Sequence, residues 1–184
     1  MTDRLADLDK ELAAFQPKDA RAEESRARVR ALLRSRGLAA FNRSPETDHI
    51  TASGFVLSPD RSLSLLMHHR KLDLWLQPGG HCDGNPDVRA VAAREVSEEI
   101  GSPSARFISR AIFDVDVHEI PARRSEPAHH HHDIRFLFEV DPNEPLPGNN
   151  ESLALRWLRI DELAAATDRP SVLVVRHALM QPDT

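Results

Sequence analysis

Between Gly79 and Gly101 the chain reads GGHCDGNPDVRAVAAREVSEEIG, and Arg94, Glu95, Glu98 and Glu99 crowd one guanidinium and three carboxylates into two helical turns. The limits of that helix are legible in the same stretch. Asn85 can cap it, Pro86 suits its first position, and Gly101 suits the residue just past its end. At about 100° per residue, Glu95, Glu98 and Glu99 share one arc, while Ala92, Ala93, Val96 and Ile100 take the adjoining one. One side packs and the other binds. Like charges at these spacings each cost a helix about 0.2–0.5 kcal/mol, so three carboxylates kept together call for a counter-charge. Mg²⁺ or Mn²⁺, hard ions that prefer carboxylate oxygen and water, are the natural choice. Arg94, four residues before Glu98, can bond that carboxylate and fix its orientation. The bland alternative is a solvated acidic face, and the glycine-rich turn ahead of the helix weighs against it.

With those residues in hand, the run from Gly80 to Gly101 resembles the signature of the Nudix hydrolases. Gly80, Arg94, Glu95, Val96, Glu98, Glu99 and Gly101 all match that pattern at its fixed spacing. Two positions depart from it: Pro86 stands where the first glutamate falls, and Ser102 stands where an aliphatic residue is usual. Asp83 and Asp87 are the nearby carboxylates that can supply the missing charge. The stretch from Arg156 to Leu163 resembles the last strand and following helix of the same family.

The resemblance implies an α/β (α+β) fold, a Nudix-type αβα sandwich with a mixed sheet, over residues 46–184, preceded by an N-terminal helical appendage over residues 1–45. It also implies metal-assisted hydrolysis of a diphosphate linkage in a nucleoside diphosphate derivative. Glu95, Glu98 and Glu99 are then the metal ligands, and Arg94 completes the catalytic group with them. Glu151, in the loop before the last strand, is the candidate general base. Gly80 and His81 face the substrate.

Composition sets outer bounds. The 184 residues suffice for one domain with an appendage, and the single cysteine, Cys82, excludes an intrachain disulfide and reads as a small packing residue. No apolar run is long enough to span a membrane or form a signal-peptide core, so a cytoplasmic location is the default expectation. A formal charge of −5, with basic residues scattered along the chain, argues against non-specific nucleic-acid binding. The expected partner is a small phosphorylated molecule. Leu5, Leu8, Leu12 and Phe15 recur at helical spacing, Asp19 can cap a second helix, and Val29, Leu32 and Leu33 give that helix its apolar side. The leucine stripe can pack on the chain's own domain or serve as the seam of a homodimer.

Strand patterns run through 50–57, 62–69, 75–77, 105–119, 132–140 and 153–160, with short helices from Asp161 and near Pro170. Their alternation sorts the ten histidines. Asp114, Asp116 and His118 share one strand face, and His129, His131, Asp133 and Arg135 share another. Two polar faces on successive strands predict a common wet surface where His118, His129, His131 and Arg135 meet substrate, with Arg123 and Arg124 in the connecting loop reaching phosphate oxygens. The same histidine cluster can hold a second metal of the Zn²⁺, Fe²⁺ or Mn²⁺ type. Trp75 is available for base stacking, and Trp157 reads as core.

Two other classes stay open on sequence alone. One is an enzyme like isopentenyl-diphosphate isomerase, which shares the Nudix fold and uses a histidine-rich metal site with a cysteine. The other is a non-catalytic nucleotide-binding Nudix module, in which the loss of a glutamate to Pro86 leaves recognition without turnover.

Overall fold

The computed structural model describes residues 2–44, 47–122 and 127–180, so Arg123 and Arg124 lie outside the described residues. Helices α1 (Thr2–Ala14), α2 (Ala20–Arg36), α3 (Val88–Ile100), α4 (Leu163–Ala166) and α5 (Pro170–Met180) accompany strands β1 (His49–Leu57), β2 (Leu63–His69), β3 (Leu74–Leu76), β4 (Gly79–His81), β5 (Arg106–Ile120), β6 (His129–Glu139) and β7 (Ser152–Arg159). The strands form one mixed sheet in the order β3-β2-β1-β6-β5, with β4 on β1 and β7 on β2. The class is α+β, as expected. Among the described residues no helix is long and apolar enough to cross a membrane.

By contact density the chain divides into two compact units, Met1–Ala52 with Gly80–Val91 and Ala111–Arg135, and Ser53–Gly79 with Ala92–Arg110 and Phe136–Thr184. In the second unit β2 is the hub. Leu65 pairs with Val56 on one edge and with Trp157 on the other, and Met67 pairs with Leu76 and Leu155 in the same way. Phe55, Leu66, Val96, Phe136 and Phe138 are fully buried around it. Gly54 admits this packing because a Cβ there would sit 2.5 Å from the Phe138 ring.

In the first unit the N-terminal helices fold onto strand residues. Leu8, Leu12 and Phe15 of the first helical stretch and Ala22, Ser25, Val29 and Leu33 of α2 are buried. Asp19 caps α2 by accepting from the Ala22 amide at 2.7 Å, as the sequence predicts. Arg30 holds Asp9 at 2.7 Å and so ties α2 to α1. From α2, Ser25 Oγ accepts from the Val117 amide at 3.1 Å, and Arg21 reaches Asp114 and Asp116 at 2.8 and 2.7 Å. The leucine stripe is therefore covered within its own chain.

That packing corrects the expectation of a wet polar face. Asp114, Asp116, Asp133 and Arg135 do share faces as the alternation predicts, but all four are buried. The Arg135 guanidinium bonds Asp133, Asp116 and Asp114 at 2.8, 3.0 and 3.2 Å. Against the cost of burial, Arg135, the His118 hydrogen bond and Arg21 hold Asp116 well below the usual carboxylate range. Arg135 is thus an internal counter-ion and not a substrate contact, because its donors are committed to three carboxylates. Two boundaries also shift. The strand containing the histidine run begins at His129, three residues earlier than its pattern suggests. The acidic helix begins at Val88, where Asp87 Oδ1 accepts from the Ala90 amide at 3.0 Å, so Asp87 is the cap, and Asn85 instead accepts from the Asp87 amide. Pro86 lies outside the helix; Gly101 ends it at φ +72° as predicted.

Arg135→Met should lower stability by about 3–5 kcal/mol, the usual effect of leaving buried carboxylates unpaired. Urea unfolding measures it. A loss below about 1 kcal/mol would mean that the aspartates do not depend on this guanidinium.

Candidate functional site

The glutamates of α3 lie in the second unit with the Gly79 amide and Glu151. Glu99 is buried at 3 % exposure, and its Oε2 accepts from the Gly79 N–H at 2.8 Å. Arg94 spans its two neighbours, 2.7 Å from Glu95 and 3.3 Å from Glu98, so it orients both carboxylates and not Glu98 alone. Glu98 remains largely open, with 59 % of its side chain exposed. Glu151 is exposed, and its charge disfavours ionisation of both Glu95 and Glu99.

The electrostatics of this group are those of an uncompensated acid cluster. Burial, opposed by the Gly79 amide and reinforced by Glu95, Glu151 and Glu98, pushes Glu99 up to about 8. Burial also raises Glu95, against the pull of Arg94. Carboxylates that resist ionisation under one another's charge are a fit for a hard dication, which removes both the repulsion and the desolvation cost. Glu95, Glu98 and Glu99 offer the oxygens for it. Asp87 does not replace the motif's absent glutamate, since its carboxylate caps the helix and pairs with Arg4 at 2.9 Å.

The histidines gather in the first unit. Gly80 and His81 form part of β4. His81, His118, His129 and His131 come together as the alternation suggests, with ring centroids 4.9 Å apart for His81 and His131, 5.6 Å for His118 and His131, and 5.5 Å for His129 and His131. His130 and His132 turn the other way, both to Asp48, at 3.3 and 3.4 Å. Sequence reasoning missed His49, which lies 4.7 Å from His131 and 5.2 Å from both His81 and His129. A signal was present: His49 and Thr51 alternate with Ile50 and Ala52, and Thr51 donates to Asp133 at 3.0 Å on that polar face. In the second unit Trp75 is stacked on His68 at 4.9 Å, and Trp157 is only half-buried.

Comparison with known proteins agrees with the motif and the fold. The family model described as NUDIX domain matches residues 47–177, so the chain belongs to the Nudix family. Among solved structures, the E. coli dihydroneopterin triphosphate pyrophosphohydrolase is similar with a TM-score of 0.58 and 18 % identity, covering 74 % of this chain and 95 % of that one. A NUDIX-family hydrolase from Clostridium perfringens gives 0.52 and 22 %, covering 71 % and 97 %. A C. elegans Ap4A hydrolase in a binary complex gives 0.50 and 13 %, covering 71 % and 93 %. No match to this chain was found among curated proteins.

Glu99 sets a pH dependence whose sign is fixed. Its folded pKa, about 8, lies above the ordinary 4.5, so the stability it contributes is full below about 4.5 and is lost as pH rises through about 8. His49, His81, His131 and His132 are held below the usual histidine range and oppose this trend below about pH 6.5, so the fall is read above it: from about pH 7 to pH 8 metal-free protein should melt at progressively lower temperature, and either Mg²⁺ or Glu99→Gln should flatten that part of the profile. Calorimetry with and without chelator checks this; a profile unchanged by metal and by the substitution would contradict it.

Proposed function

We propose that the chain is a divalent-metal-dependent hydrolase that cleaves the diphosphate linkage of a nucleoside diphosphate derivative, using the α3 carboxylates. Membership of the Nudix family supports a pyrophosphohydrolase. The observation that carries the metal assignment is the charge that Glu95, Glu98 and Glu151 place on buried Glu99, with Arg94 the cation bonded to Glu95 and Glu98. Two similar folds bear the names Ap4A hydrolase and dihydroneopterin triphosphate pyrophosphohydrolase, both describing action on phosphate chains.

When bound, Mg²⁺ or Mn²⁺ neutralises phosphate oxygens and lowers the pKa of water. The protein's own residues do the positioning. Arg94 orients Glu95 and Glu98 by its ion pairs, and the Gly79 amide aims Glu99. Glu151 accepts the proton of the attacking water, since it is exposed and its charge is felt by both Glu95 and Glu99. The position of Pro86 outside the helix leaves this reading with three motif carboxylates in place of four.

Turnover of a panel of nucleoside diphosphate derivatives, with Mg²⁺ or Mn²⁺, tests the proposal. Hydrolysis is expected, with Glu98→Gln and Glu99→Gln each losing about 10–100-fold or more in activity while folding normally. Rearrangement of an allylic diphosphate without phosphate loss would favour an isomerase, and ligand binding without product would favour a recognition module. Near wild-type turnover of both variants at limiting Mg²⁺ would overturn the metal assignment.

A further inference from the structure

The histidine cluster of the first unit is built in a way that packing alone does not explain. His49 is 1 % exposed and His129 is 7 % exposed, and with His131 their ligand-capable atoms all lie within 4.8 Å of one another. His49 Nδ1 lies 2.9 Å from the Thr47 carbonyl, and His129 Nδ1 lies 3.0 Å from the Pro127 carbonyl. A carbonyl only accepts, so in both rings Nδ1 carries the hydrogen and Nε2 is left with its lone pair. In His49 that Nε2 is buried and has no hydrogen-bond partner among the described residues. An orphaned buried acceptor costs about 1–3 kcal/mol, and a ring held by its other nitrogen to a carbonyl is the arrangement that metal-ligating histidines adopt.

We propose that His49, His129 and His131 form a nitrogen-donor site for one transition-metal dication, zinc in preference to magnesium, distinct in chemistry from the carboxylates of α3. Imidazole nitrogen suits zinc and its neighbours, whereas magnesium demands oxygen. Tetrahedral coordination at about 2.0–2.1 Å brings such nitrogens to about 3.3 Å from one another, so binding draws the three rings closer together than the present 4.8 Å spread. Three protein ligands leave a fourth position for water or an anionic oxygen. His118 stands beside that group, 5.6 Å from the His131 ring, and its Nδ1 donates to the Asp116 carboxylate at 3.0 Å where the other rings use backbone carbonyls.

Chelator-treated full-length protein, titrated with Zn²⁺ and separately with Co²⁺, provides the test. One equivalent should bind, Co²⁺ should give the visible ligand-field bands of a tetrahedral nitrogen site, and zinc-edge X-ray absorption should show a nitrogen shell at about 2.0–2.1 Å. His131→Ala and His49→Ala should weaken zinc binding by about 10–100-fold, while His130→Ala should leave it unchanged. The absorption spectrum of the unmutated protein decides the matter if His49→Ala fails to fold. An oxygen-only shell, or equal zinc affinity in wild type, His131→Ala and His130→Ala, would overturn the proposal. Because zinc affinity is read and not turnover, this outcome is independent of the hydrolase reading, which Glu98→Gln tests by activity.

Discussion

Carboxylates brought together inside a protein need positive charge, and this chain meets the need in two different ways. Asp114, Asp116 and Asp133 converge in the first unit and meet two guanidiniums, Arg135 and Arg21, at distances of 2.7 to 3.2 Å. That group is closed: its acceptors are bonded, its faces are covered, and replacing one partner leaves the others exposed to the full cost of burial. In the second unit the charges of Glu98 and Glu151 bear on Glu95 and Glu99, while Arg94 bonds Glu95 and Glu98 and a backbone amide serves buried Glu99. The second group is short of cation. The contrast between the two, within one chain, is the physical basis for reading the first as structure and the second as a site that a dication completes.

The first group also explains why residues 1–45 are more than a decoration. Arg21 and Ser25 reach from α2 to Asp114, Asp116 and the Val117 amide. Arg4 pairs with Asp87, and Arg89 pairs with Glu11, tying the N-terminal helix to the segment that starts α3. The polar residues of β5 are thus built to be covered by that helical pair, and the charges on the two sides are complementary. A stretch that carries the pattern of an appendage supplies counter-ions to the strands.

What the sequence disclosed follows from the range of the interactions involved. The acidic helix was legible because its chemistry is periodic and local: spacing alone brings Glu95, Glu98 and Glu99 to one arc, and Gly101 marks the end. Its start lies two residues further on than the Asn85-Pro86 signal indicates, because the Asp87 carboxylate reaches the Ala90 amide and prevails over Asn85 as the cap. Strand alternation correctly separated His129 and His131 from His130 and His132. It cannot say whether a polar face is wet, since that depends on α2, distant in sequence, and so alternation alone makes Arg135 a substrate contact. His49 was overlooked because it stands alone in the sequence and joins the other rings only through sheet pairing.

The most direct measurement is a crystal structure of the protein grown with Mn²⁺, with anomalous differences collected at the manganese edge. The account predicts a peak bounded by the carboxylates of Glu95, Glu98 and Glu99, with Arg94 still bonded to the first two. An empty carboxylate group at saturating Mn²⁺, with its glutamates pairing instead with side chains of the protein, would contradict it.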